Sequence, residues 1–327
     1  MSPGALLSRP GVAAVVGTVA VWALFAVVAG PAFRSVSGAA AYLNASAALG
    51  ILAVAVAMLM IAGEFDLSVG SVVGFAGMAL LLLTRHFGWP LWPAIGATVA
   101  LSAAIGLVNG LLVVRTRLPS FIVTLGSLFV FRGLTIGLAR HFTGRTQLGG
   151  LDRVEGYELA RVLFAADVGP FRASIGWWIA FAAAGAWILH RTRSGSWIQA
   201  SGGSAEAARE AGVPVDRTRV SLFVATALAA CLVAVLQAVR FTGADALRGE
   251  LQEFRAIAAA VIGGTLLTGG YGSVVGAALG ALVFGMVQQG IVITGVDADW
   301  FQVFLGAVLV AAALFNDRLR RRATEAG

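Results

Sequence analysis

The sequence predicts an all-α, polytopic membrane protein, and three observations carry that expectation. Of its 327 residues, 59% are hydrophobic and 12% are charged, about half the charged share of an ordinary soluble domain. Mean hydropathy is +0.89. The apolar residues fall in long runs separated by short, arginine-bearing connections, so lipid is the main solvent.

A spanning helix needs about 20 mostly apolar residues. Ten runs are candidates: 11–30, 45–62, 67–84, 91–114, 118–139, 173–190, 220–239, 255–268, 272–294 and 300–316. Run 11–30 is long and has no small-x-small cleavage site after it, so it is read as a span and not a signal peptide. Run 255–268 is short and ends in Gly-Gly. It predicts a broken helix, which is tolerable only where protein or a water-filled path surrounds it. Residues 1–327 are expected to form one transmembrane domain.

Ten spans place both termini on one side, and arginine placement selects it. With the ends inside, 12 arginines face inward, 10 face outward and Arg132 lies within a span. The pairs Arg115/Arg117, Arg191/Arg193 and Arg217/Arg219 and the tail Arg318, Arg320, Arg321, Arg322 all fall inside, which predicts cytoplasmic termini.

The absences exclude whole classes of chemistry. There is no lysine among the 23 basic residues, so the chain carries no P-loop and no Schiff base. The single Cys231 sits in an Ala/Leu/Val run, and the histidines are His86, His141 and His190. An intramolecular disulfide is impossible, and a Cys/His zinc cage is not expected. The +7 charge is spread between apolar runs with no basic-aromatic platform, so nucleic acid is not a partner.

Glycine repeats inside the spans. Gly70, Gly74 and Gly77, then Gly272, Gly276 and Gly280, recur at helical spacing and predict close backbone packing. Gly-Ser-Val-Val-Gly occurs at 70–74 and again at 272–276, a pattern read as an internal repeat.

Three regions stand out. The turn 62–70 sets Glu64 and Asp66 between two apolar helices, with Ser68 and Gly70 following. Asp66 precedes a helix start, where it is expected to cap the helix at the membrane surface; contact with a soluble partner or a gating role is the other reading. The loop 191–219 is the longest inner connection. Within it Ser204, Glu206, Ala207, Ala208, Arg209, Ala211 and Gly212 predict a short helix, capped by Ser204 and stopped by Gly212 and Pro214. Its small alanine face suits docking on another protein, whereas a helix lying on the bilayer would carry larger apolar residues. The third region, 256–276, is glycine-dense and without catalytic groups, fit either for a sliding gate or for tight packing.

These motifs resemble the permeases of monosaccharide ABC importers, the ribose/xylose/arabinose class. The sequence from Glu64 to Ser71, Glu-Phe-Asp-Leu-Ser-Val-Gly-Ser, is similar to that family's G-x-I-D-L-S-V-G-S. Leu118-Pro-Ser-Phe-Ile-Val-Thr-Leu-Gly126 with Phe131-Arg-Gly133, and the 256–276 segment, resemble two more of its motifs. The resemblance runs from about residue 40 to residue 316. Phe65 stands where the family usually has Ile, and Leu266 where it usually has Ser. The resemblance implies a type II ABC-importer-like permease of about ten helices, with no ATP site and no cofactor. It implies as partners P-loop ATPase subunits, an extracytoplasmic sugar-binding protein and a second permease copy, identical or related, in the cytoplasmic (inner) membrane. It also makes the 204–214 helix a counterpart of the helix that docks on the ATPase.

A polar solute crossing lipid needs neutral polar groups and aromatic walls. Asn44, Ser71, Asn109, Thr124, Ser127, Gln288 and Gln289 are the intramembrane polar candidates, and Phe129 is a candidate wall or gate. Each is weighed against simple interhelical hydrogen bonding. Arg132 is either functional or near enough to an outer end to snorkel. The long outer loop 140–172 and the loop 240–253 mix both charge signs and are read as solvated connections or docking surfaces. An ion-coupled secondary transporter is the alternative, but it needs ionisable groups at mid-span. No nucleophile–base or paired-carboxylate constellation supports an intramembrane enzyme.

Overall fold

In the computed structural model, residues 10–297 and positions 300, 302, 303, 306, 307 and 310 are described. The basic tail and most of run 300–316 lie outside the described residues.

The helices are α1 (Pro10–Val28), α2 (Gly30–Arg34), α3 (Val36–Ile61), α4 (Val69–Leu81), α5 (Leu91–Thr116), α6 (Ser120–Thr143), α7 (Tyr157–Phe164), α8 (Ala173–Arg191), α9 (Arg193–Gly203), α10 (Ala205–Glu210), α11 (Val215–Arg240), α12 (Gln252–Ile262) and α13 (Val274–Thr294). A π turn, Leu82–His86, extends α4. Seven of these helices are long and apolar enough to cross a membrane: α3, α4 with its π turn, α5, α6, α8, α11 and α13.

The helix boundaries follow local chemistry. Ser35 and Ser273 cap α3 and α13 by accepting the Gly38 and Gly276 amides. Arg117, in the left-handed region at φ 57°, ends α5 just before Leu118-Pro119, where proline forbids a continued helix. Helix α3 begins nine residues before the predicted run. Two polar residues there are satisfied locally or across the bundle: Ser37 Oγ bonds with Ser35 Oγ, and Asn44 Nδ2 donates to the Pro170 carbonyl.

Two ends can be distinguished. The near end carries the turn 62–68, the α5–α6 corner, α9 and α10. The far end carries the small strands β1 (Gln147–Gly149), β2 (Asp167–Val168), β3 (Phe171–Arg172) and β4 (Gly243–Asp245). β1 pairs antiparallel with β4, and β2 with β3. The buried core centres on α3, where every residue from Ile51 to Ala62 is buried, with α11, α12 and α13 packed around it. By contrast α6 leaves Phe121, Ile122, Phe129, Val130 and Leu134 exposed, a surface suited to lipid or another chain.

Three expectations change. The 191–219 connection is mostly helical, because α9 precedes α10; Thr192 caps α9 by accepting the Gly195 amide. The 140–172 loop is a folded cap. Leu151 and Ala160 are fully buried in it, and Tyr157 Oη donates to the Val239 carbonyl at 3.0 Å. The 240–253 loop is not solvated throughout. From β4 the chain descends antiparallel to α4: Ala244 lies at Gly77, the Ala246 and Arg248 carbonyls at Gly74, and Gly249 with Glu253 at Gly70. Helix α12 continues the descent and stops at a glycine turn.

The predicted broken helix is short, Gln252–Ile262, and the segment packed beside α4 starts earlier, in irregular backbone. Protein covers this backbone on both sides, the condition under which irregular backbone is tolerated inside a bilayer. Gly70 and Gly74 of α4 flank it on one side; on the other, Gly276 and Gly280 of α13 lie against the Gly263 and Ala259 carbonyls. The two Gly-Ser-Val-Val-Gly copies thus serve the same purpose, each opening a helix that needs backbone-close packing.

Candidate functional site

At the near end the chain builds a polar junction around the turn 62–68. Asp66 does not cap α4 at a surface, as the sequence suggested. Helix α4 begins at Val69 with no side-chain cap, and Asp66 is 1% exposed. Its Oδ1 accepts the Ser68 amide at 2.9 Å and the Ser68 hydroxyl at 2.5 Å, and its Oδ2 accepts Thr226 Oγ1 of α11 at 2.6 Å. Burial pushes this carboxyl above its ordinary value, and the Ser68 and Thr226 hydrogen bonds hold it back. Asn109 Nδ2 of α5 donates to Ser68 Oγ at 3.0 Å. Two hydroxyls of α6 complete the clamp: Ser120 Oγ accepts the Phe65 amide and Thr124 Oγ1 accepts the Leu67 amide, each at 3.0 Å.

The same turn is tied outward. Glu64 Oε1 pairs with Arg219 Nη1 of α11 at 2.8 Å, both largely buried. Arg219 also donates to the Ser201 carbonyl at the end of α9, at 3.4 Å. Below it, Arg209 of α10 meets Asp216 at 2.7 Å. Gly202 packs backbone-to-backbone on Ile61 and Gly270, and Gly269 packs on Gly63. A cleft of about 890 Å³ opens beside this junction, lined by Glu64, Arg117, Ser204, Glu206, Arg209, Glu210, Asp216 and Arg219.

Helix α10 forms as predicted, and Ser204 Oγ accepts the Ala207 amide at 3.3 Å. The continuous alanine face needs correction: Ala208 is 5% exposed and turned into the chain. Glu206, Ala207, Arg209, Ala211 and Gly212 remain on the outside.

Arg132 also differs from its snorkelling expectation. It lies midway along α6, where Nη2 meets Glu253 Oε1 at 3.8 Å and Nη1 meets Glu250 Oε1 at 3.6 Å. Glu253 is 1% exposed, so this pair ties α6 to the descending segment inside the protein.

The intramembrane polar candidates divide into separate groups. Asn109 and Thr124 belong to the near-end junction, and Ser71 Oγ closes back on the Ser68 carbonyl. Among the described residues Ser127 Oγ is buried without a hydrogen-bond partner, and Phe129 is exposed. Gln289 is half-buried and stands apart from both clusters. Asn44 and Gln288 line a far-end cleft. There Asn44 is already committed: its Nδ2 donates to the Pro170 carbonyl and its Oδ1 accepts the Arg172 amide, each at 3.0 Å. Sequence reasoning missed Ser120, Thr226, Arg219, Glu250 and Glu253. A lone threonine in the apolar run 220–239 was the only signal for Thr226.

Residues 38–313 match the family model described as branched-chain amino acid transport system / permease component. The chain is 30% identical to the xylose transport system permease protein of Escherichia coli (strain K12), covering 89% of this chain and 87% of that protein. It is 32% identical to the autoinducer 2 import system permease protein of Enterobacter sp. (strain 638), over 93% of this chain and 87% of the relative. It is 30% identical to the ribose import permease protein of Escherichia coli (strain K12), over 89% and 88%. No solved structure matches the chain.

Proposed function

Because the chain belongs to the branched-chain amino acid transport system / permease component family, we propose that it is the transmembrane subunit of an ATP-driven importer of a monosaccharide or related polyol. The relatives named for xylose, ribose and autoinducer 2 support that substrate class. In this reading the chain has no catalysis of its own. Cytoplasmic ATPase subunits with P-loops supply the energy, an extracytoplasmic binding protein delivers the solute, and a second permease copy completes the path. The near end and both termini face the cytoplasm.

One observation carries the mechanism. An unbroken series of polar contacts leads from the exposed helix α10 to the pathway helices. Arg209–Asp216 ties α10 to α11, Arg219–Glu64 ties α11 to the turn, and Ser120 and Thr124 tie the turn to α6. A push on α10 by a closing ATPase pair therefore moves the first turns of α4 and α6 as one unit. Discrete packed contacts of this kind transmit a shift without dissipating it in soft side chains. The outward residues Glu206, Ala207, Arg209, Ala211 and Gly212, with Ser204 as cap, form the docking surface. The turn residues Glu64, Asp66, Ser68 and Gly70 receive the motion.

The test is reconstitution of the chain with its ATPase and binding protein in vesicles. Ala207→Arg with Ala211→Arg changes only exposed positions, so folding is kept while sugar uptake and sugar-stimulated ATP hydrolysis fall together. Unchanged uptake in that variant refutes the docking role. Uptake that survives ATP depletion but collapses with an uncoupler refutes the importer reading in favour of ion-coupled transport.

A further inference from the structure

The far-end cleft has a composition that the near-end apparatus does not explain. It encloses about 280 Å³ between α3, α8, α11, α12 and α13, room for a ligand of monosaccharide size. Phe164, Phe241 and Phe284 contribute aromatic surface, and among the described residues no Asp or Glu lines the cleft. Two of its polar groups are spent on its own cap: Asn44 holds the β2–β3 hairpin, and Arg240 pairs with Asp167 at 2.7 Å.

Among the described residues the remaining polar side chains make no hydrogen bond or ion pair within 4.0 Å. Gln252 and Arg255 sit at i and i+3 on α12 and both line the cleft, while Glu253 between them turns to α4 and Arg132. Among the described residues Arg255 is half-buried with no carboxylate within 4.0 Å, and Arg172 at the rim has none either. Among the described residues the side-chain Oε1 of Gln237 is buried without a hydrogen-bond partner. Gln288 completes the wall. The Arg255 guanidinium is attracted to Glu253 only from beyond ion-pair distance, which leaves its hydrogen-bond donors unfilled, and a planar oxyanion satisfies them with charge-assisted, bidentate bonds. The side-chain amides offer partners for neighbouring hydroxyls.

From this we infer that the far-end cleft is an oxyanion-binding site, anchored by Arg255 and rimmed by Arg172, for a small polyhydroxylated acid or the phosphate of a lipid headgroup. The site lies within one chain and needs neither the ATPase nor the binding protein. Its failure and the failure of the importer reading are thus separable.

The test uses the full-length chain in phosphatidylcholine nanodiscs, titrated calorimetrically with D-glucuronate and with D-glucose. Glucuronate is expected to bind at least tenfold more tightly than glucose. Arg255→Gln is expected to weaken glucuronate about tenfold, the scale of one charge-assisted bond, and Arg255→Lys less. In a parallel arm, native mass spectrometry follows phosphatidylglycerol on chains from mixed nanodiscs. Lipid retained by the parent chain and lost from Arg255→Gln, without glucuronate binding, assigns the site to a headgroup phosphate. If Arg255→Gln does not fold, Arg172→Gln, at the exposed rim, carries the same comparisons. Equal binding of glucose and glucuronate, or glucuronate and lipid binding that neither variant changes, overturns the inference.

Discussion

Replacing Arg132 by glutamine removes the cation that faces Glu253 while leaving the carboxylate in place. The two groups are 3.8 Å apart, with side chains 23% and 1% exposed. At an effective dielectric constant of about 20, their attraction is about 4 kcal/mol. Glu250, 51% exposed at 3.6 Å, adds little because water screens it. Breaking a buried pair from one side costs about 3 kcal/mol or more, since the remaining charge stays desolvated. Among the described residues the Glu253 Oε2 atom lacks a hydrogen-bond partner, so no neighbouring donor on that oxygen offsets the loss. Thermal unfolding of the reconstituted chain should register Arg132→Gln as a drop in Tm of roughly 4 °C or more. Adding Glu253→Gln removes the orphaned charge, and the double variant should recover most of that loss. The double-mutant cycle isolates the coupling between the two side chains. A double variant as unstable as Arg132→Gln alone, or a coupling near zero, would refute the pairing and with it the tether between α6 and the descending segment.

Three further outcomes are expected. Asp66→Asn keeps Oδ1 for both Ser68 donors and reverses only the Thr226 bond, so it should be tolerated, whereas Asp66→Ala loses all three bonds and roughly 3 kcal/mol. Because burial raises the Asp66 pKa from 3.8, the folded chain holds this proton at pH values where the unfolded chain has released it. Wild-type stability relative to Asp66→Asn should therefore fall as pH rises through the raised value, and unfolding measured across pH checks the sign. Gly280→Ala places a Cβ on the Ala259 carbonyl and should cost about 1–3 kcal/mol, while Gly96→Ala meets open space and should be neutral or mildly stabilising in the same unfolding assay. Asn44→Leu removes both bonds to the β2–β3 hairpin, so amide exchange at residues 167–172 should speed up while the near-end junction keeps its protection.

The sequence by itself determined the solvent, the positions of the long helices and the helix at 204–212. Hydropathy, capping serines and prolines act over a few residues, and their effects are complete once the local chain is known. It also marked the glycine copies at 70–74 and 272–276, though not what they pack against. Only the tertiary structure decided where the isolated polar residues go. Asp66 reads as a surface cap until Thr226, 160 positions away in sequence, is brought within 2.6 Å. Arg132 reads as a snorkelling residue until the 243–253 segment descends beside α4 and presents Glu253. Ala208 reads as part of an outward face until α10 folds against the chain and buries it. A polar side chain in an apolar run is costly by itself wherever it lies, so the run shows that a partner exists. Which partner depends on contacts between distant helices, which no local pattern encodes.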